Sequence, residues 1–434
     1  MERYSFRDGG VLGTISDALT GSSYWLDDQV VARAFGAEMP AFGGDLITIA
    51  ASCHIVDRLV PRRNRWIREL PLELAVRDPA RWSAAKEALE GYLRLLTDDI
   101  WDITFIGGRR TRTGEHQVPL LGPNTDITTV ALFSGGLDSF AGAARWLRDN
   151  SGGSLALVGS RSSTVIGADQ RRLTRCLQEV FGSRPVSIRV PVHLQRSVAR
   201  ESSQRTRGML FLALAVAAAA MADIRTVLAF ENGFGALNPR LGEHQQGAQA
   251  TKSMHPEVLA RFQQFVRAAG YELTVQLPYR WTTKAELLGG LPEAFHGAIA
   301  LTSSCDSYPI RRPSAKQCGT CGSCVLRRQS LVASRLVRHD RRDYQSPPLS
   351  GDIARLMARQ AWLIERTAAI EDWGWADEAW PELALGRAAQ LTLEEQMTRS
   401  MLVRYAAEWT DLVERDSRLR RILGWPVGPQ WRAA

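Results

Sequence analysis

The stretch Leu132–Leu147, LFSGGLDSFAGAARWL, contains an apolar run, a polar turn and an amphipathic run. Thr128–Phe133, which overlaps its start, is apolar and rich in β-branched residues, as in a buried strand. From Phe140 to Leu147, apolar residues recur at the i, i+3, i+4 and i+7 spacing of one helix face. Ser134–Ser139 is therefore predicted to be the turn between a strand and a helix.

This turn has the chemistry of a phosphate-binding loop. Gly135 and Gly136 allow a positive φ and a close approach of the backbone to a ligand. The hydroxyls of Ser134 and Ser139, with the N–H groups at the helix start, can hold phosphate oxygens. Asp138 can help to hold Mg²⁺ against those phosphates. The alternative is an ordinary strand–helix turn in which Asp138 or Ser139 is the N-cap.

The pattern Ser-Gly-Gly-x-Asp-Ser lacks the features of the Walker and dinucleotide-binding motifs. It resembles the PP-loop signature of ATP pyrophosphatases, which cleave ATP between the α and β phosphates and adenylate a substrate oxygen. The resemblance implies that ATP is bound by this loop and by the end of the next strand. The expected nucleotide-binding residues are Ser134, Gly135, Gly136, Leu137, Asp138, Ser139, Val158 and Gly159.

Short apolar runs alternate with helical runs from Thr128 to Tyr279, which predicts a parallel sheet in an α/β layer fold. We expect three domains in the 434-residue chain: an α+β N-terminal extension over residues 1–125, a PP-loop domain over 126–345, and a helical, Trp-rich C-terminal extension over 351–434. In the first, helices are predicted over 45–60 and 80–96 and strands over 65–76 and 100–106.

Four of the six cysteines form a C-x12-C-x2-C-x2-C pattern. Four thiolates at such spacing are typical of a closed tetrahedral zinc site, and we expect structural zinc. A redox Cys-x-x-Cys pair and an iron–sulfur cluster are the alternatives. The ligands would be Cys305, Cys318, Cys321 and Cys324.

A PP-loop upstream of this cysteine pattern resembles QueC, the 7-cyano-7-deazaguanine synthase family. Residues 318–344, CGTCGSCVLRRQSLVASRLVRHDRRDY, are similar to the family's ending. TTKAELL resembles its Lys-Ala-Glu stretch, which implies that Lys284 lies near the nucleotide phosphates. RTRGMLFLALAVAAAA resembles a helix of the family, with Arg207 at the N-terminal end of that helix. Without this resemblance, Lys284 and Arg207 would be interpreted as solvated surface charges.

The QueC resemblance implies a parallel-sheet PP-loop domain of the HUP-like, adenine nucleotide alpha hydrolase type, with structural zinc. It implies that ATP and Mg²⁺ serve to adenylate the carboxylate of 7-carboxy-7-deazaguanine, with Asp138, Lys284 and Arg207 as catalytic residues. Ammonia then forms the amide, a second activation forms the nitrile, and AMP and pyrophosphate are released.

The stretch after RTVLAF reads ENGFGALNPRLGEHQQGAQATKSMHP, where the family's acidic substrate segment is absent. Glu231, Asn232 and Asn238 are candidates for hydrogen bonds to the edge of a purine-like base. The alternative is a polar loop that contains Asn, Gly and Pro for backbone reasons.

Long QueC-like chains with added ends resemble proteins of bacterial anti-phage islands, of the Qat and type IV CBASS kinds. The resemblance implies transfer of an activated deazaguanine to a protein amine, with a partner from the same operon docked on the terminal extensions. The Trp-rich stretch DWGWADEAW, residues 372–380, is a candidate contact surface or a set of packing residues. The alternatives are nitrile synthesis for tRNA or DNA modification, a tRNA-modifying PP-loop enzyme, and a non-catalytic scaffold.

The formal net charge of +8 favours anionic ligands and leaves direct nucleic-acid binding open. Residues 1–20 lack the apolar segment of a secretory signal. The most apolar stretch, Met209–Ala222, has 14 residues and is too short to span a bilayer, so we expect a buried helix in a cytoplasmic protein.

Overall fold

The structure is a computed structural model. It describes residues 4–6, 12–13, 24–62, 67–108, 127–194, 199–241, 252–311, 315–379 and 392–425. The chain divides into two compact units. Unit 1 comprises residues 1–134, 147–229 and 247–277, and unit 2 comprises residues 135–146, 230–246 and 278–434.

The described elements follow one another in two halves of the chain. The first half contains β1 (Tyr4–Phe6), β2 (Leu12–Gly13), β3 (Tyr24–Asp27), α1 (Gln29–Phe35), α2 (Ala41–Leu59), β4 (Glu69–Val76), α3 (Pro79–Ala84), α4 (Lys86–Thr97), β5 (Ile100–Gly107), β6 (Ile127–Leu132), α5 (Leu137–Asp149), β7 (Ser154–Arg161), α6 (Thr164–Phe181), β8 (Pro185–Leu194) and α7 (Arg207–Met221). The second contains β9 (Thr226–Ala229), α8 (Gly233–Leu237), α9 (Pro256–Ala268), β10 (Thr274–Gln276), α10 (Lys284–Gly289), a 3-10 helix (Glu293–Leu301), β11 (Ile310–Arg311), β12 (Ala315–Lys316), α11 (Gly322–Ala333), a 3-10 helix (Val337–His339), α12 (Asp352–Ile370), α13 (Gly374–Ala379), α14 (Leu393–Arg415) and α15 (Ser417–Leu423).

Unit 1 contains a seven-stranded sheet in the order β10-β9-β6-β7-β8-β3-β2. The first five strands in this order pair in parallel, which confirms the parallel sheet expected from the sequence. Strands β3 and β2 extend the sheet antiparallel at the β8 edge, where Tyr24 pairs with Leu194. The sequence did not predict these two strands, because runs of four and two residues are too short to show an alternating pattern.

Helix α7 confirms the buried helix expected for the most apolar stretch of the chain. It packs against α2. A Cβ on Gly43 of α2 would lie 3.4 Å from the Cβ of Ala217, an ordinary van der Waals distance, so the two helices are in direct contact at this position. Among the described residues, no helix is long and apolar enough to cross a membrane.

A second sheet in unit 1 has the parallel order β1-β4-β5. The strands predicted over 65–76 and 100–106 and the helix over 45–60 correspond to β4, β5 and α2. The helix predicted over 80–96 is two helices, α3 and α4, with Ala85 between them. The indole Nε1 of Trp82 in α3 donates to Asp45 Oδ2 at 3.1 Å, which holds the short helix against α2.

A buried charge network joins α2 to the ends of the second sheet. The Arg68 guanidinium contacts Asp57 Oδ1 and Asp99 Oδ2, each at 2.6 Å, and all three side chains are nearly inaccessible to water. Arg62 binds Asp99 as a second cation at 2.8 Å. The backbone N and Oγ1 of Thr206 donate to Asp57 Oδ2 at 3.1 and 3.0 Å. Because Thr206 is the N-cap of α7, the network also fixes the start of that helix.

Among the described residues of unit 2, α8, α11, α12 and α14 all contribute to a common apolar core. Phe234 of α8 stacks on Tyr405 of α14 with ring centroids 3.9 Å apart, and Trp409 is fully buried. Trp373 also lies in this core, and Trp380 lies outside the described residues. The segments 126–345 and 351–434 therefore share buried surface, and the boundary proposed between them stays a prediction.

Replacement of Arg68 by methionine should lower the free energy of unfolding by about 3–5 kcal/mol, because Asp57 would remain buried without its cation. Chemical denaturation measures the change. The control is Lys86→Met, which removes an exposed pair with Asp102 and should cost no more than about 1 kcal/mol. Equal losses in the two variants would contradict a special role for the buried network.

Candidate active site and metal centre

The loop Ser134–Ser139 connects β6 to α5, as the sequence predicts. Gly135 has a φ of 80°, a conformation that favours glycine, and Gly136 lies outside the positive-φ region. The carbonyl of Gly136 accepts from Phe140 N at 3.1 Å and from Ser139 Oγ at 3.1 Å, which starts the helix. The first turn of α5 therefore carries Asp138, which is separated from Gly136 by Leu137 alone.

Three of the predicted site residues come together in unit 2. The Lys284 ammonium lies 2.5 Å from Asp138 Oδ2, and the amide Nδ2 of Asn232 donates to Asp138 Oδ1 at 3.0 Å. Lys284 is only 4% exposed, so it is not a solvated surface charge. Thr283 and Glu286 form a capping box that begins α10 at Lys284. Asn232 is itself the N-cap of α8, with Oδ1 accepting from Gly235 N at 2.9 Å.

Glu231 lies beside this pair. Asn232 Nδ2 also donates to Glu231 Oε1, at 3.2 Å. Burial, reinforced by the negative charge of Asp138, raises the pKa of Glu231 to about 8, against the opposing effect of Lys284. A Cβ on Gly235 would collide with Glu231 Oε1, so glycine makes room for the carboxyl group.

Asn238 has a backbone role in the structure. It ends α8 with a left-handed φ of 41°, and its N–H donates to Phe234 O at 2.9 Å. Asparagine is one of the few residues other than glycine that tolerate this conformation. The placement agrees with the backbone interpretation of this position, and its role in base recognition stays a prediction.

Val158 and Gly159, the predicted nucleotide-binding residues on β7, lie in unit 1. A Cβ on Gly159 would collide with Phe133 O and lie 2.9 Å from Gln170 Nε2. Gln170 donates from Nε2 to the carbonyls of Phe133 and Ser134, each at 3.3 Å. Gln170 was not predicted from the sequence, where its only signal is a polar residue on the buried face of an amphipathic helix.

Arg207 begins α7, as expected, with its guanidinium over the ring of Phe211 at 5.0 Å from the centroid. It belongs to unit 1, whereas Asp138, Lys284 and Asn232 belong to unit 2. The catalytic role of Arg207, like the nucleotide-binding role of Val158, stays a prediction.

The four predicted cysteine ligands form one cluster, in which all Sγ atoms lie within 4.8 Å of one another. The Sγ atoms of Cys318 and Cys324 are 3.9 Å apart. Zinc–sulfur bonds of about 2.3 Å give a tetrahedron with edges of about 3.8 Å, so this donor set fits zinc. Hydrogen bonds with Cys321 and Cys324 lower the pKa of Cys305, and the contacts of Cys324 with Cys305 and Cys321 raise the pKa of Cys324, so the thiols of the cluster titrate together.

The long gap between the first two cysteines contains the antiparallel pair β11 and β12. Gly319 has a φ of 84°, and a Cβ there would collide with Ser346 O, so only glycine fits this turn. Helix α11 begins directly after Cys321. These features bring the four thiols together from two separate segments of the chain.

A buried ion pair holds α11, the helix that carries Cys324 of the cluster. Arg327 Nη2 lies 3.0 Å from Asp340 Oδ1, and both side chains are inaccessible to water. Arg327 Nη1 donates to Thr302 Oγ1 at 2.8 Å, three residues before Cys305. Tyr344 OH donates to Asp340 Oδ2 at 2.9 Å. Residues in the QueC-like ending of the sequence thus have a structural role in this arrangement.

The structure is that of an α/β protein with a parallel sheet, a glycine loop at the start of α5, the Asp138–Lys284 pair and a cysteine cluster able to hold zinc. The family model for Queuosine biosynthesis protein QueC matches residues 186–335. The matched segment contains Arg207, Lys284 and the four cysteines, and begins beyond the Ser134–Ser139 loop. It supports a QueC-like PP-loop assignment. No curated protein matches the chain.

The purified protein should contain about one zinc ion per chain, and Cys321→Ser should lose most of it, because a closed site needs all four thiolates. Inductively coupled plasma mass spectrometry measures the metal. Cys176→Ser is the control, since this half-buried cysteine lies outside the cluster and its loss should leave the zinc content unchanged. Iron in place of zinc would indicate the alternative cluster.

The raised pKa of Glu231 predicts a loss of stability with increasing pH. Between the ordinary value of 4.5 and about 8, the folded state retains a proton that the unfolded state releases, so unfolding becomes more favourable as pH rises. Glu231→Gln should therefore reduce the difference in melting temperature between about pH 5.5 and about pH 8.5. Glu257→Gln, at an exposed position on α9, should not reduce it.

Proposed function

We propose that this protein uses ATP to adenylate the carboxylate of a base of the 7-carboxy-7-deazaguanine type and then transfers the acyl group to an amine. The QueC match supports ATP-dependent activation in deazaguanine-related chemistry. The observation that carries the proposal is the buried Lys284–Asp138 pair, held by Asn232, at the start of the helix that follows the glycine loop.

In the activation step, a carboxylate oxygen of the base attacks the α-phosphorus of ATP and pyrophosphate leaves. The N–H groups at the start of α5 and the Lys284 ammonium would stabilise the charge that develops on the departing pyrophosphate. Because Lys284 is buried, its attraction for phosphate oxygens is screened little by water. In the transfer step, an amine attacks the acyl carbon, and AMP leaves with the electron pair of the broken carbon–oxygen bond.

Asp138 is the residue that would hold Mg²⁺. Its carboxylate is the hard oxygen ligand that this ion prefers, and it follows the loop that would hold the phosphates, so the donor fits the ion. When bound, Mg²⁺ supplies positive charge to the phosphate oxygens. Asn232 keeps the carboxylate oriented through its hydrogen bond to Oδ1.

Glu231 and Asn232 are proposed to recognise the base. A guanine-type edge presents adjacent N–H donors, which suit a carboxylate acceptor. Glu231 adjoins Asp138 through the shared amide of Asn232, so a base held there would lie beside the activating groups. Base binding would favour the ionised form of Glu231 and release a proton below about pH 8.

The acceptor is proposed to be a protein amine or ammonia, and the setting an anti-phage defence system. The terminal extensions support a protein amine as the acceptor, because a protein substrate needs a docking surface and the extensions could provide one. A partner protein from the same operon would then supply the amine. The second candidate function is synthesis of the free nitrile for tRNA or DNA modification, which the QueC match favours.

The test uses purified protein, Mg-ATP and 7-carboxy-7-deazaguanine, with pyrophosphate release and product masses as readouts. Base-dependent AMP and pyrophosphate are expected from the wild type. Asp138→Ala and Lys284→Ala should lower the rate at least about 100-fold, because each removes a charged group from the cluster. Asp149→Asn, at an exposed position of the same helix, is the control and should keep the wild-type rate.

The products distinguish the candidate functions. A mass gain on a partner protein from the same operon would support ligation, and free nitrile would support the second candidate. Absence of base-dependent turnover with ammonia and with every partner protein would contradict the proposed substrate.

A further inference from the structure

We propose that Glu408, on helix α14 near the C-terminus, is a positioning residue for Lys284. It binds Thr283, the N-cap of α10, and so fixes the direction in which the buried ammonium points. The inference rests on the proposed function for its activity readout. It extends that function, because it makes the C-terminal extension a part of the catalytic apparatus.

The contacts of Glu408 account for both of its carboxylate oxygens. Thr283 Oγ1 donates to Oε1, and Gln329 Nε2 of α11 donates to Oε2 at 3.1 Å. Thr283 Oγ1 in turn accepts from Glu286 N at 3.1 Å, which is the capping hydrogen bond of α10. Glu408 therefore orients the hydroxyl that starts the helix, and Lys284 is the first residue of that helix.

Arg404 contacts the same helix start from one turn earlier on α14. Its Nε lies 2.6 Å from Glu286 Oε1, and its Nη2 donates to Trp281 O at 2.7 Å. Residues four apart share one face of a helix, so Arg404 and Glu408 approach the cap together. Arg404 binds Trp281 and Glu286, which lie on either side of Thr283 in the sequence, and Glu408 binds Thr283 itself.

Helix α14 also supports the second residue that holds Asp138. Its Tyr405 stacks on Phe234 of α8, and a Cβ on Gly233 would lie 2.9 Å from Met401 Cε. Gly233 directly follows the N-cap Asn232, whose Nδ2 binds Asp138. Both partners of the Asp138 carboxylate thus lie at helix starts that pack against α14.

The position of Glu408 predicts a specific pH dependence. Burial raises its pKa to about 7, Glu286 reinforces the effect and Arg404 opposes it. The groups that face it are Thr283 and Glu286 of α10, Gln329 of α11, and Arg404 of its own helix. Protonation blocks one of the two acceptor oxygens, so the hold on Thr283 should weaken as the pH falls below about 7.

The experiment compares Glu408→Ala, Glu408→Gln and the control Glu394→Ala in the pyrophosphate-release assay. Glu394 lies on the same helix, is exposed and pairs with Arg280, so its loss should change the rate less than about twofold. Glu408→Ala should lower kcat about 10- to 100-fold with little change in the KM for the base. Lys284 stabilises the charge that develops at the leaving group, and a displaced Lys284 would do so less well. Glu408→Gln keeps an acceptor for Thr283 and should retain more activity.

Two further readouts separate positioning from general destabilisation. Glu408→Gln should reduce the loss of rate that we expect for the wild type between about pH 7.5 and about pH 6. Thr283→Ala combined with Glu408→Ala should lose no more activity than the worse single variant, since both act through one contact. If Glu408→Ala does not fold, the pH dependence of the rate of Glu408→Gln is the measurement that tests the positioning role.

The inference is overturned if Glu408→Ala loses no more activity than Glu394→Ala, or if Glu408→Gln keeps the wild-type pH profile. Failure of the proposed substrate is recognised separately, by titration with Mg and α,β-methylene-ATP. If the wild type binds this nucleotide without turning over the base, Glu408→Ala should still weaken its binding about tenfold and Glu394→Ala should not. Equal affinities would then overturn the positioning role.

Discussion

The buried ion pair between Lys284 and Asp138 is the constraint on which the candidate site depends. The two residues are 146 positions apart in the chain, and their charged atoms are 2.5 Å apart in the structure. A buried charge is destabilising unless it is paired and hydrogen-bonded. Loss of either residue would therefore leave the other as a buried charge without its partner. The surrounding structure must therefore bring α5 and α10 to one place and keep them there.

The pair and the neighbouring Glu231 together carry little net charge before any ligand binds. Asp138 and Lys284 neutralise each other, and the pKa of Glu231, about 8, keeps that carboxyl group largely uncharged at neutral pH. Glu231 is kept neutral because burial and the charge of Asp138 both oppose its ionisation. A ligand that brings its own charge or hydrogen-bond donors would change this balance, which links binding at the site to proton release.

The supporting contacts form a continuous series in unit 2. The cysteine cluster fixes the start of α11, and the Arg327–Asp340 pair holds the middle of that helix. Gln329 of the same helix binds Glu408 of α14, which binds the cap of the helix that carries Lys284. A metal in the cysteine cluster would therefore stabilise more than its own loop, since it anchors the first member of this series.

The sequence by itself determined the parallel sheet, the strand–loop–helix at Ser134–Ser139 and the four cysteines, because each leaves a local pattern of spacing or periodicity. It suggested Lys284 only through a family resemblance, since a lone lysine has no periodic signal. The tertiary structure decided the burial of Lys284, the hydrogen bonds of Gln170 and the contact of Glu408 with Thr283. These depend on packing between residues far apart in the chain, and the local physical chemistry of a polar side chain does not specify its distant partner.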